Sequence, residues 1–202
     1  MPSEEDQEIL LEISNVAAGG CSIPLADLVG RRIVLGPNTV TPRRTGEISQ
    51  VPADRELAAC SYAKIIGVQG TVLVVMNKMN ALLIADIVQR PGIKVENESG
   101  IILQRIADML AGSYVATLNT FLSTALRYEE TQMITAFVDD LIDMVLLDLY
   151  PETEEVYVVQ TGFKIEQSDI AGHLFLLTDI SGVNDLIQHA KALSVWHAPG
   201  AP

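Results

Sequence analysis

Glu8-Ile9-Leu10-Leu11-Glu12-Ile13-Ser14-Asn15-Val16-Ala17-Ala18-Gly19-Gly20 is the stretch from which the architecture of this chain is read. Helical spacing lays Ile9, Ile13, Val16 and Ala17 along one stripe. Glu8, Glu12 and Asn15 share another face, at i, i+4 and i+7. Ser3, with Asp6 three residues on, is a start signal of the capping-box kind, and Gly19-Gly20 is the expected stop. The expectation is a first helix with a buried stripe and an exposed carboxylate–carboxamide pair. A carboxamide both donates and accepts, so such a pair suits the holding of a water molecule. An E-x-x-N spacing alone is too short to carry an assignment, because solvated helix faces produce it often.

The chain of 202 residues is long enough for one large domain or two small ones, with a sizeable core. A hydrophobic content of 49% with 19% charged residues excludes a disordered chain. A net charge of −13 and a pI of about 4.5 argue against nucleic acid or an anionic membrane as partner, since both need a basic surface. The acidity favours partners with basic patches. Cys21 and Cys60 are too few for a disulfide framework, the N-terminal residues are polar, and no apolar run approaches the ~20 residues of a membrane span. A cytoplasmic protein with free thiols is expected; Cys21, beside the opening motif, is a candidate for reactivity but reads more simply as a small buried thiol.

Outward from the opening stretch, Ser22–Val29 reads as a second short helix with Pro24 in its first turn, ended by Gly30. Arg31–Gly36 reads as a strand. The stretch from there to about Arg55, with Pro37, Pro42 and Pro52, reads as an irregular loop. Ala58–Val68 and Gly70–Met76 read as strands, and Asn77 caps a helix to Gln89, stopped by Pro91-Gly92. The pattern then restarts. Asn97–Ala111 and Tyr114–Leu122 read as helices interrupted at Gly112-Ser113, and Thr131–Tyr150 as a longer amphipathic helix. Glu155–Ile165 and His173–Thr178 read as strands, and Asp179 caps a last helix to about Leu193. The tail, 194–202 with Trp196, has no periodicity and is expected to be flexible.

The two halves, about 4–92 and 97–193, can be laid on each other. An offset of 93 sets Ile9 on Ile102, Ile13 on Ile106, Val16 on Met109, Leu25 on Leu118 and Gly19 on Gly112. Near the end of each half, Gly70–Asn77 aligns with Gly172–Asp179, each followed by a helix. The same order occurring twice indicates an internal duplication. The predicted fold is α/β (α+β), a single domain with pseudo-twofold symmetry and an antiparallel-rich sheet packed with helix pairs. Across the duplication the apolar positions keep their character. The exposed face does not, since Glu8, Glu12 and Asn15 become Ile101, Arg105 and Asp108.

Glu12-x-x-Asn15 before a small-residue turn, repeated as a diverged copy ending Leu110-Ala-Gly-Ser-Tyr114, resembles the CheC family of chemotaxis phosphatases, and the similarity runs from about Asp6 to Leu193. The length is nearer to CheC-type members than to the shorter CheX type. The resemblance implies hydrolysis of the aspartyl phosphate of a CheY-type response regulator. It implies that Asn15 positions the attacking water and that Glu12 pairs with the regulator's lysine. The Mg²⁺ would belong to the regulator, so no cofactor is expected in this chain. A CheD-like receptor deamidase is a second partner of such proteins, and a binding or adaptor role without catalysis is the alternative reading. A monomer is favoured, because the duplication already supplies a symmetric pairing.

The chain departs from the family pattern in three places. Glu8 stands where Asp or Ser is usual and is reduced to a helper, Gly20 stands where Asn is frequent, and Arg105 with Asp108 make the second site degenerate. An ionised Asp cannot donate, so one working site and weaker activity than a two-site relative are expected. Rival sites are weaker. Asp139, Asp140 and Asp143 read as a solvated helix face rather than a metal site. His173 and His189 lack ligand spacing, and no hydrolase-elbow, Walker or dinucleotide motif is present.

Overall fold

Residues 2–44, 57–89 and 98–193 are described by the structure, a computed structural model. The expected flexible tail at 194–202, Trp196 within it and the Pro91-Gly92 stop lie outside the described residues.

The opening stretch belongs to a single helix, α1, that runs unbroken from Glu4 to Val29. Ser3 caps it: its hydroxyl accepts from the Asp6 N–H and the Asp6 carboxylate accepts from the Ser3 N–H, as the sequence predicts. Three acidic residues in the first turn suit the positive end of the helix dipole. The expected break at Gly19-Gly20 is absent. The true stop is Gly30, whose left-handed φ of 67° and N–H bond to the Ala26 carbonyl end the helix ten residues later. Gly20 instead lets a neighbouring helix approach. A Cβ there would run into Thr117 Oγ1 and lie 2.8 Å from Thr117 Cβ. Pro24 therefore sits inside the helix, not at the start of a new one. It removes a backbone donor, and the Ser22 hydroxyl supplies a bond to the adjoining Gly19 carbonyl at 2.7 Å.

Strand β1 spans Ile33–Arg44, through residues expected to be irregular. Its prolines are tolerated because it lies at the edge of the sheet, and Pro37 falls where the register with its neighbour shifts between Leu35 and Asn38. Of that expected loop, 45–56 lies outside the described residues. Strands β2 (Leu57–Ile66) and β3 (Gly70–Asn77) form the expected hairpin, and Asn77 caps α2 (Lys78–Val88) by accepting from the Asn80 N–H at 2.7 Å. Helix α3 (Glu98–Leu122) passes through Gly112-Ser113 without interruption, a second correction of the same kind. After a two-residue strand β4 (Arg127–Tyr128), the segment read as one helix divides into β5 (Gln132–Phe137) and α4 (Val138–Leu149). Ile134, Thr135 and Phe137 suit a strand as well as a helical stripe, and pairing with β2 decides between them. Strands β6 (Glu155–Ile165) and β7 (Ala171–Asp179) and the Asp179-capped helix α5 (Ile180–Ala192) follow the expectation.

The strands make one antiparallel sheet in the order β1-β6-β7-β3-β2, with β4 and β5 both against β2. Exchanging β1 with β5, β2 with β6 and β3 with β7 reproduces this order in reverse, so the sheet has a pseudo-twofold axis between β3 and β7. The register places that axis. The alignment of Gly70 with Gly172 makes Phe175 the counterpart of Leu73, and these two residues pair directly across the central strands.

Alternating side chains send the two sheet faces into two cores. On one, α1, α2, α3 and α5 cover Val72, Val74, Val159, Leu174 and Leu176. On the other, α4 lays Leu141, Val145 and Leu146 on Leu73, Val75, Val158 and Phe175. Helices thus cover both faces of the sheet in three layers, and among the described residues the second helical layer comes only from the second half. Helices α1 and α3 are long and apolar enough to cross a membrane by length and composition, contrary to the expectation from apolar runs. In the fold their apolar stripes are core: Ile9, Leu10 and Ile13 of α1 and Leu110 and Leu118 of α3 are within 1% of complete burial. Between them, the Ser14 and Tyr114 hydroxyls share a buried hydrogen bond of 3.0 Å, and the Cys21 thiol donates to the Leu110 carbonyl at 3.3 Å.

Candidate functional site

The buried stripe of α1 fixes its rotation and so decides what the opposite face presents. With Ile9, Ile13 and Ala17 inside, Glu8, Glu12 and Asn15 are exposed, as their spacing predicts. These three, with Leu11, line an open groove of about 420 Å³ whose other wall is Gly36-Pro37-Asn38 of β1. Among the described residues, no hydrogen bond or ion pair engages the side chains of Glu8, Glu12 or Asn15. They stand on two successive turns of a helix anchored along its whole length, so the carboxylate and the carboxamide are held as one rigid unit.

The bulge that forms the second wall also ties the helix down. The Asn38 amide donates to the Leu11 carbonyl at 3.2 Å. Its own Oδ1 is buried and has no partner, as is the case for Oγ1 of Thr161, the residue opposite it on β6. Sequence reading missed Asn38, because Gly36-Pro37 was taken as the end of a strand. The available signal was a Gly-Pro-Asn insertion between β-prone residues, which is how a bulge is written.

The counterpart residues on α3 form no such constellation. Arg105 is exposed and Asp108 half-buried, and neither lines the groove. In place of Leu11 the second half has Gln104, whose amide donates to the Thr131 carbonyl and hydroxyl at 2.7 and 2.9 Å. The cavity between α3 and the sheet, about 10 Å³, lies on the other side of the helix against Ile106, Ala107 and Leu110 and is walled mainly by apolar side chains.

The remaining candidates are occupied structurally. Cys21 and Cys60 are both buried, and burial pushes each thiol up to about 12, which keeps them protonated and unreactive. His173 hydrogen-bonds Gln160 at 2.9 Å and is lowered by burial, and His189 bonds the Asp185 carbonyl of its own helix at 2.8 Å. Among the described residues no three His, Cys, Asp or Glu side chains come together as a metal site. The Asp139 side chain lies outside what the structure describes.

No protein-family model matches the sequence, and no curated protein matches it. Solved structures do. FliY from Thermotoga maritima is 16% identical, with a TM-score of 0.72 over 95% of this chain and 98% of that one. The chemotaxis protein CheX from Desulfovibrio desulfuricans is 13% identical, with a TM-score of 0.56 over 83% of this chain and 99% of that one. The FliM middle domain from H. pylori is 11% identical, with a TM-score of 0.65 over 93% of this chain and 99% of that one. The chain has the CheC-like fold of these structures.

Proposed function

We propose that this chain hydrolyses the aspartyl phosphate of a CheY-type response regulator, with Asn15 and Glu12 as the working pair. The observation that carries the reading is the placement of both side chains, exposed and unengaged, on one rigid helix over an open groove. The reaction asks little of a catalyst beyond placement. Water attacks phosphorus, the bond between phosphorus and the aspartyl oxygen breaks, and inorganic phosphate leaves a free carboxylate. The transition state is loose, so in-line positioning of the water supplies most of what a protein can add. The Asn15 carboxamide would accept from that water or donate to it with no change of its own charge. Glu12 would pair with the regulator's active-site lysine through a charge-assisted bond, fixing the angle at which the helix enters. The Mg²⁺ would be the regulator's own. The acidic face of α1, with Glu4, Glu5, Glu8 and Glu12, would draw a basic rim toward the groove.

The test is direct. A phosphorylated receiver domain mixed with this protein should lose acyl phosphate faster than it does alone, and Asn15→Ala should remove the acceleration, at least about a hundredfold. Decay by Asn15→Ala as fast as by wild type would dismiss the site. Glu12→Ala should weaken regulator binding; unchanged affinity and rate would take Glu12 out of the mechanism.

One observation favours the adaptor reading. Helix α2 exposes Met79, Leu82, Leu83 and Ile87, at 39–63% of their full areas, whereas its counterpart α5 shows solvent mostly polar groups. A cytoplasmic adaptor docking a CheD-like or flagellar partner would use such a face. Stable binding of a partner with no acceleration of phosphate loss on the cognate regulator would select that reading.

A further inference from the structure

We propose that Asn38 is a positioning residue for the Glu12–Asn15 pair: its amide clamps the helix turn that carries both, from the opposite wall of the groove. This rests on the phosphatase reading of that groove.

The Leu11 carbonyl is the acceptor. In an α-helix that carbonyl already takes the N–H four residues on, which is that of Asn15. The Asn38 bond at 3.2 Å therefore falls on the peptide link between Leu11 and Glu12 and on the hydrogen bond that sets the height of Asn15. The amide orientation follows from the chemistry, because a carbonyl accepts only and the NH₂ end must face it. The arrangement is costly in polar terms. Asn38 Oδ1 is buried without a partner, and so is Thr161 Oγ1 across the strand pair. An apolar residue at position 38 would remove the orphaned Oδ1, though not the Thr161 Oγ1, and what it would forgo is the donor to Leu11. The register shift between Leu35 and Asn38 is the device that aims the side chain at the helix, since one step along the strand would otherwise turn it away.

Two variants test this. Asn38→Asp keeps the shape and removes the donor, and Asn38→Ala removes the side chain. In the receiver-phosphate assay both should lower kcat about five- to twentyfold while KM for the phosphorylated regulator stays within about twofold, because displacement of the turn affects the transition state more than docking. Amide exchange at Glu12–Val16 should quicken about tenfold in both, with Leu110–Leu118 of α3 unchanged. Wild-type kcat in both variants overturns the proposal. So does exchange that quickens equally in α1 and α3, which is the signature of a general loss of stability. If wild type itself shows no turnover, the phosphatase reading fails, and the exchange comparison still decides whether Asn38 holds the turn.

Discussion

Ser14→Ala, Tyr114→Phe and the double variant together test how firmly the site helix is held from beneath. Ser14 precedes Asn15 and points the other way, 2% exposed, onto a Tyr114 hydroxyl in a residue 1% exposed. Ser14→Ala strands that phenol in an apolar layer, and an orphaned buried donor costs about 1–3 kcal/mol. Tyr114→Phe strands a serine hydroxyl instead. A helical serine can turn to the carbonyl four residues back, here Leu10, so this loss should be milder, about 0.5–1.5 kcal/mol. The double variant removes both polar atoms without leaving a large void and should cost under about 1 kcal/mol. The summed single losses should therefore exceed the double loss by about 2 kcal/mol or more at mid-range, a coupling well above the ~0.5 kcal/mol scatter of independent sites. Urea unfolding of the four proteins measures this. In a chain of this size each kcal/mol should also move the melting temperature by roughly 2–4 °C. Additive losses, or a Tyr114→Phe loss larger than that of Ser14→Ala, would refute the reasoning.

Gly20→Asn, which installs the residue frequent in the resembled family, should destabilise the protein by about 1–3 kcal/mol, because its Cβ meets Thr117, and adding Thr117→Gly should recover part of the loss in thermal melts. Cys21 and Cys60, held at about 12 by burial, should react with a thiol reagent near pH 8 at about a thousandth of the free rate and freely once urea unfolds the chain. Because both folded values lie above the ordinary thiol value, their contribution is complete below pH ~9 and is lost as pH rises toward 12; fast labelling of the native protein at pH 8 would contradict the burial. Lys191, 2.9 Å from Asp6, holds that carboxyl below the usual range together with Ser3. This pair is largely solvent-screened, so Lys191→Ala should cost only about 0.2–1 kcal/mol near pH 6. The difference from wild type should vanish as pH falls through the lowered Asp6 value, and urea midpoints at the two pH values read it.

Punctuation residues account for most of the gap between sequence and structure. Gly19-Gly20 and Gly112-Ser113 have the composition of helix ends, yet small residues also appear where two helices close on each other, and only the partner distinguishes the cases. Gly20 against Thr117 is the second case. Pro37 and Pro42 argue against an interior strand, and they are admitted because β1 is an edge, a property of strand order that no local window contains. Capping residues were legible because their bonds are local: Ser3, Asn77 and Asp179 each bind the backbone three residues on. The exposed triad of Glu8, Glu12 and Asn15 was legible for a similar reason, since helical periodicity alone puts it opposite the core. The other half of the groove was not, because Asn38 reaches Leu11 across 27 residues of chain.

The pairing of Leu73 with Phe175 has a consequence for ancestry and for dissection of the chain. Because counterpart residues face each other across the central strands, a fragment ending after α2 would present β3 to another β3 in the same antiparallel register. Two such fragments would reproduce the middle of the sheet as a homodimer, with hydrogen bonds that the full chain now makes internally. Fusing the two copies removes the requirement that they remain identical. In a single chain of two such halves the exposed residues on α3 can differ from those on α1, as Arg105 and Asp108 differ from Glu12 and Asn15, which a homodimer encoded once does not allow.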